Sequence, residues 1–186
     1  MTPAEASDKK NENKIWFNLN GKVKSNPIQP KFSIGDKPST QIYYITEILK
    51  REGYKDNWNK IDFAAKIGRN DLIKLLVQLG EKGTDVAIDN AAKNGHLEVI
   101  KYLHELGYKG TENAIDNAAK NGHLEVIKYL ISLNYKVTDE AFIYATINCH
   151  LHILKYLHSL NLRGPENLID YAIMGLAISE YQSRFS

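Results

Sequence analysis

Seventeen residues, AIDNAAKNGHLEVIKYL, run from Ala87 to Leu103 and recur letter for letter from Ala114 to Leu130, a displacement of 27 residues. A chain that repeats itself at such a period builds an array of like units rather than one closed core. The same displacement maps KIDFAAKIGRNDLIKLL, Lys60 to Leu76, upstream and AFIYATINCHLHILKYL, Ala141 to Leu157, downstream, and LIDYAIMGL from Leu168 opens a further copy. Four complete units are expected at residues 57–83, 84–110, 111–137 and 138–164, between a capping second helix at 39–56 and a C-terminal capping half repeat and tail at 165–186. Residues 1–38 form an N-terminal arm, expected to be partly disordered; a hairpin over 14–24, signalled by Asn-Gly between residues of strand character, competes there with an irregular arm punctuated by Pro27, Pro30 and Pro38.

Each unit reads as two short helices. Asn57, Thr84, Thr111 and Thr138 share the phase at which a side-chain oxygen caps the first helix, and Pro165 takes that phase in the last unit. Gly68, Gly95 and Gly122 end the first helix, while Gly53, Gly80, Gly107, Asn134 and Asn161 follow the second. In the first helix Ile88, Ala91 and Ala92, and then Ile115, Ala118 and Ala119, share one face, where small side chains allow close helix approach. The second helix carries an apolar stripe of Val99, Ile100, Leu103 and Leu106 opposite Glu98, Lys101 and Glu105. One pair cannot cover that stripe alone. The fold class is therefore an all-α solenoid of stacked helix-turn-helix repeats.

Composition bounds the function. With 43% hydrophobic and 25% charged residues the chain packs, and no apolar run approaches the ~18 residues of a membrane span, so no membrane partner is expected. Met1 to Asn13 has no apolar stretch behind a basic one, so no secretory signal is expected and a cytoplasmic, intracellular location follows. Lone Cys149 suits a reducing compartment. The net charge is +2, and Lys outnumbers Arg 20 to 4, which weighs against nucleic acid as partner; the basic arm with Trp16 and Phe17 is the one place such binding would start.

AAKNGHLEVIKYL resembles the core of the ankyrin repeat, with its Ala-Ala pair, Gly-His-Leu turn and following apolar helix, over roughly residues 57–176. The Asn-, Lys- and Ile-rich composition is similar to that of ankyrin-type proteins of giant DNA viruses of amoebae. The resemblance implies an interaction scaffold, with a host protein as partner if the viral likeness holds. Family repeats run ~33 residues with a projecting finger and a Thr-Pro-Leu-His start. Here the period is 27 and neither is encoded, so fingers should be reduced or absent.

No chemistry stands out. His96, His123 and His150 hold one phase, which places them about 8–10 Å apart, too far to share a zinc. The resemblance also places them in the interhelical turn. Cys149 beside His150 lacks an orienting third group, and no Gly-rich phosphate loop, HExxH or GxSxG run occurs. No catalysis, cofactor or metal is expected. Asp89 with Lys93, and Asp116 with Lys120, read as four-apart pairs on a solvated face.

That outward face of the first helices carries Asp89, Asn90 and Lys93, then Asp116, Asn117 and Lys120, but it turns apolar at Ile143, Tyr144 and Ile147, and at Tyr171; Phe63 and Ile67 interrupt it in the first unit. Such a change of character at fixed phase suggests a contact surface, with two competing readings in which the chain's own arm, through Ile15, Trp16, Phe17 and Phe32, or its tail, through Tyr181 and Phe185, covers these residues. The expected function is a protein–protein interaction scaffold binding through the concave first-helix surface at these twelve residues, with self-association as the competing reading.

Overall fold

The structure is a computed structural model that describes residues 37–172; the hairpin signal at 14–24, most of the arm, and the tail beyond 172 lie outside the described residues. The chain divides into two compact units, Met1–Gly53 and Tyr54–Ser186. In the first, the described residues form α1 (Pro38–Arg51), opened by a proline where a missing N–H costs nothing and closed on Lys50 and Arg51, cations that suit a helix C-terminus.

The second unit is a file of helix pairs. Its first helices are α2 (Lys60–Lys66), α4 (Val86–Lys93), α6 (Asn113–Lys120) and α8 (Asp139–Ile147). Its second helices are α3 (Asn70–Gln78), α5 (Leu97–Glu105), α7 (Leu124–Ser132) and α9 (Leu151–Ser159), and residues 168–172 are helical again. The described residues contain no strand, so the links between repeats run without a projecting finger.

Helix starts follow the phase with local exceptions. The hydroxyls of Thr84 and Thr111 accept from the N–H of Val86 and Asn113 at 3.2 and 3.1 Å. In the first repeat the cap is Asn59 rather than Asn57, its carbonyl oxygen accepting from Ile61 and Asp62. The side chain of Thr138 caps nothing, and Pro165 sits ahead of its helix, accepting from Leu168 N–H at 3.2 Å.

Burial explains the alanines. Ala91, Ala92, Ala118 and Ala119 are fully buried with Ile88 and Ile115, so adjacent first helices pack directly on one another, whereas neighbouring second helices touch far less. Val99, Ile100 and Leu103, and their counterparts Val126, Ile127 and Leu130, are buried as the stripe predicts, each such side chain contributing about 1.5–3 kcal/mol. Leu106, expected to extend the stripe, has already passed the end of α5 and is largely solvated.

Within each pair the chain reverses through a left-handed residue, and at Gly95 two constraints coincide. Its φ is +74°, and an added Cβ would lie 2.7 Å from Nδ1 of His123, the imidazole of the next repeat. Gly68 with His96 and Gly122 with His150 repeat the arrangement. In the fourth repeat Cys149 holds this turn at φ +58°, and the corresponding position of the following copy encodes Ala177 rather than histidine. Gly107, after a second helix, has φ +86° but open space around it. Gly107→Ala should therefore cost about 1–2 kcal/mol from backbone strain alone. Gly95→Ala should cost more, and its double-mutant cycle with His123→Ala, measured by denaturant unfolding, should show a coupling of about 1 kcal/mol. Equal losses at the two glycines with no coupling would refute the steric account.

Candidate functional site

Three kinds of environment hold the residues that the sequence places on the first-helix face. The aspartates are the first. Asp89 is 8% exposed, and its two carboxylate oxygens accept the N–H and hydroxyl of Thr111 in the next repeat at 2.9 and 2.7 Å. Asp62 accepts the same pair from Thr84 at 2.8 and 2.6 Å, while Asp116, 6% exposed, accepts the Thr138 hydroxyl at 2.7 Å without the Thr138 N–H. The expectation of a solvated face is thus corrected at Asp89 and Asp116. Threonine donors wait across these three boundaries, so the carboxylates turn there instead of toward Lys93, Lys120 or an outside partner.

The clasp weakens along the stack for legible reasons. Gly83 and Gly110, which precede the clasping threonines, let the link approach closely, since a Cβ would meet Ile61 or Ile88 at 2.7 Å. Their N–H groups donate to the phenol oxygens of Tyr108 and Tyr135 at 3.0 and 2.7 Å. At the next boundary Val137 replaces the glycine and Leu162 the tyrosine. At the one after, Ile143 replaces the aspartate just where Pro165, with neither N–H nor hydroxyl, replaces the threonine. The half-buried Ile143 is accounted for by this loss of donors, without an external contact.

The aromatic end of the face differs from expectation. Phe63 is 5% exposed, with the rings of Tyr54 and Trp58 centred 5.6 and 5.5 Å from its own, so it packs inward and is not presented. Trp58 is the presented ring at 39% exposure, with the ammonium groups of Lys55 and Lys66 at 5.5 and 5.4 Å from its centre. Beside it opens a cavity of about 290 Å³ lined by Trp58, Phe63, Lys66, Val86 and Asn90, with Asn59 and the clasped Asp62 also on its wall. Trp58, Lys66 and Val86 were not singled out from the sequence. A signal existed for Trp58, which stands at the phase held elsewhere by Asp85, Glu112, Asp139 and Glu166.

The remaining residues are at least partly exposed. Lys93 and Lys120 are exposed, and Asn90, Asn117, Tyr144, Ile147 and Tyr171 are half-buried. The Lys120 ammonium lies 5.1 Å from the centre of the Tyr144 ring. Ile67 is half-buried at the end of α2, at the phase where Asn94, Asn121 and Asn148 donate to the carbonyls of Asn90, Asn117 and Tyr144 at 2.9, 2.9 and 2.8 Å.

The histidines bridge repeats. His96 Nε2 lies 3.2 Å from the Lys66 carbonyl and His150 Nε2 lies 3.1 Å from that of Lys120. A carbonyl only accepts, so Nε2 carries the proton. Burial pushes His123 below the ordinary imidazole range, its hydrogen bond to the Lys93 carbonyl partly opposes this, and His96 and His150 on either side lower it further. Among the described residues no three His, Cys, Asp or Glu side chains are grouped to hold a metal ion.

Stacked helical pairs bonded rung by rung define an α-solenoid repeat protein. A profile described as Ankyrin repeats (3 copies) matches residues 61–141 and again 88–167, together more than half of the chain. The chain belongs to the ankyrin-repeat family, whose members are in general protein–protein interaction modules and typically not enzymes. No curated protein matches it. Among the described residues no helix is long and apolar enough to cross a membrane.

Two consequences can be measured. Asp89→Asn leaves one acceptor for two donors and should cost about 1–2 kcal/mol. At Asp116 burial pushes the carboxyl upward, the Thr138 hydroxyl opposes that, and Glu140 and Glu112 add to the rise. The Ala141 N–H opposes the rise weakly. Asp116→Asn keeps an acceptor for the Thr138 hydroxyl and removes a disfavoured charge, so it should cost less than Asp89→Asn near pH 7. A larger loss there than at Asp89, by thermal or denaturant unfolding, would contradict the clasp account. For His123 the folded imidazole binds its proton less readily than the unfolded one. Its contribution is therefore present above the ordinary histidine range and lost as pH falls through the depressed folded value. The melting temperature should drop on mild acidification, and His123→Gln should flatten that drop; an unaltered slope would count against it.

Proposed function

We propose that this chain is a scaffold that binds a partner protein through the inner, first-helix surface of its stack, with no catalytic step and no cofactor. Tyr144 and Ile147 carry the reading. They stand half-exposed at phases where the preceding repeats present Asn117 and Lys120, and Asn90 and Lys93. An apolar patch on an otherwise polar row of rigid helices suits an interface, and Trp58 supplies an exposed aromatic on the same unit. Because helices rather than loops hold these side chains, little ordering entropy is lost when a partner docks. If the likeness to viral ankyrin-type proteins holds, the partner is a host protein met in the cytoplasm.

Affinity capture from cell lysate with wild type and Tyr144→Asp tests the reading. The substitution should abolish capture of a specific protein while leaving the melting temperature within a few degrees, as expected for a surface change. Capture unaffected by Tyr144→Asp would dismiss the surface.

A further inference from the structure

The clasp has an electrostatic consequence. Lys66, Lys93 and Lys120 occupy one phase of α2, α4 and α6, each four residues after Asp62, Asp89 or Asp116, a spacing at which a helix would ordinarily form an ion pair. Here each carboxylate is held by a threonine of the next repeat. All three lysines are exposed, and none forms an ion pair with a described residue. Rings steady two of them, Trp58 beneath Lys66 and Tyr144 beneath Lys120. Such contacts leave the positive charge intact while limiting where the ammonium group wanders. One turn before Lys120, Asn117 offers amide donors and acceptors of the kind that pair with an extended backbone, while the Asn90 amide before Lys93 spends one N–H on the Asp62 carbonyl at 3.4 Å.

Spacing selects the shape of the complement. First helices that meet through alanine pack about 8–10 Å apart, and their lysines repeat at that interval. A polyproline II segment turns once every three residues with a rise of about 3.1 Å each, so side chains at every third position recur about 9 Å apart on one face. Adjacent acidic residues would crowd one lysine, and an alternating strand would fall out of step by the third. At the Trp58 end the 290 Å³ cavity between Trp58 and Val86 has room for an apolar side chain.

We infer that the Lys66, Lys93 and Lys120 row seats an extended, polyproline II-like acidic segment of a partner protein, with Asp or Glu at every third position and an apolar residue in the Trp58 cavity. The inference rests on the scaffold reading and names the chemistry of its partner. A nucleic acid is disfavoured as occupant, because lysines without an arginine fork meet phosphates only as point charges and Trp58 is already tilted onto Phe63 rather than left open for a base.

The test uses the full chain and a fluorescent synthetic peptide with glutamate at every third position, proline and alanine between, and a terminal leucine. Controls are a peptide of the same composition with its glutamates in one block, and an oligothymidylate. The spaced peptide should bind more tightly than the block peptide and weaken as salt rises. Lys93→Glu should weaken it about tenfold, Lys93→Gln by less, and Lys155→Glu on a second helix should leave it unchanged. Equal affinity for both peptides, or equal effects of Lys93→Glu and Lys155→Glu, would overturn the inference. Tighter binding of the oligothymidylate would replace it with a nucleic-acid reading. If neither peptide binds while lysate capture still depends on Tyr144, the acidic segment is refuted and the scaffold stands. Should Tyr144 prove indifferent while the spaced peptide binds through Lys93, the seat stands on its own.

Discussion

Alanine against alanine between successive first helices is the contact on which everything else in this unit depends. Methyl groups let α2, α4, α6 and α8 approach closely enough that each pair hides its apolar side on the next, which no pair can do alone. Apolar contact has no direction, however, and smooth faces could slide. Polar rungs fix the register: aspartate to threonine, histidine to the carbonyl of a lysine, and glycine N–H to tyrosine hydroxyl, each crossing one repeat boundary. These bonds also supply partners for backbone groups that the tight links would otherwise leave unpaired.

The same rungs decide what the surface offers. Had Asp89 remained beside Lys93, the row would be electrically neutral. Because the carboxylate is drawn across the boundary, the lysine is left without an ion pair to a described residue, and a feature that belongs to stability sets the charge that the proposed surface would present. Tyr144 and Trp58 interrupt the row in different ways. The first stands where asparagine stood, and the second covers a phenylalanine and opens a cavity beside it.

Period, pairing, the left-handed turns and the alanine face were all legible in the sequence, because each is a local requirement written once per repeat. What escaped was the relation between repeats. Asp89 looked like half of an intrahelical ion pair, since the donors that claim it lie 22 residues away at Thr111. Phe63 looked exposed because Trp58, which shields it, precedes the helix rather than sharing its face. Ile143 reads as a contact residue, and the Pro165 opposite it, which lacks both donors an aspartate would need, gives it a second explanation. In each case the decisive partner sits in the neighbouring copy or the link, where the periodicity of a single helix carries no signal.

The thinning of the clasp from two hydrogen bonds at Asp62 and Asp89 to one at Asp116, with no donor encoded opposite Ile143, gives the array a polarity. In a linear assembly held by nearest-neighbour coupling, unzipping starts at the feeblest joint and runs inward. The helix bearing Tyr144 and Ile147 lies at that compliant end, whereas the Trp58 end is clamped by the strongest joints. A visitor would thus meet a firm anchor at one extremity and a jaw with some give at the other.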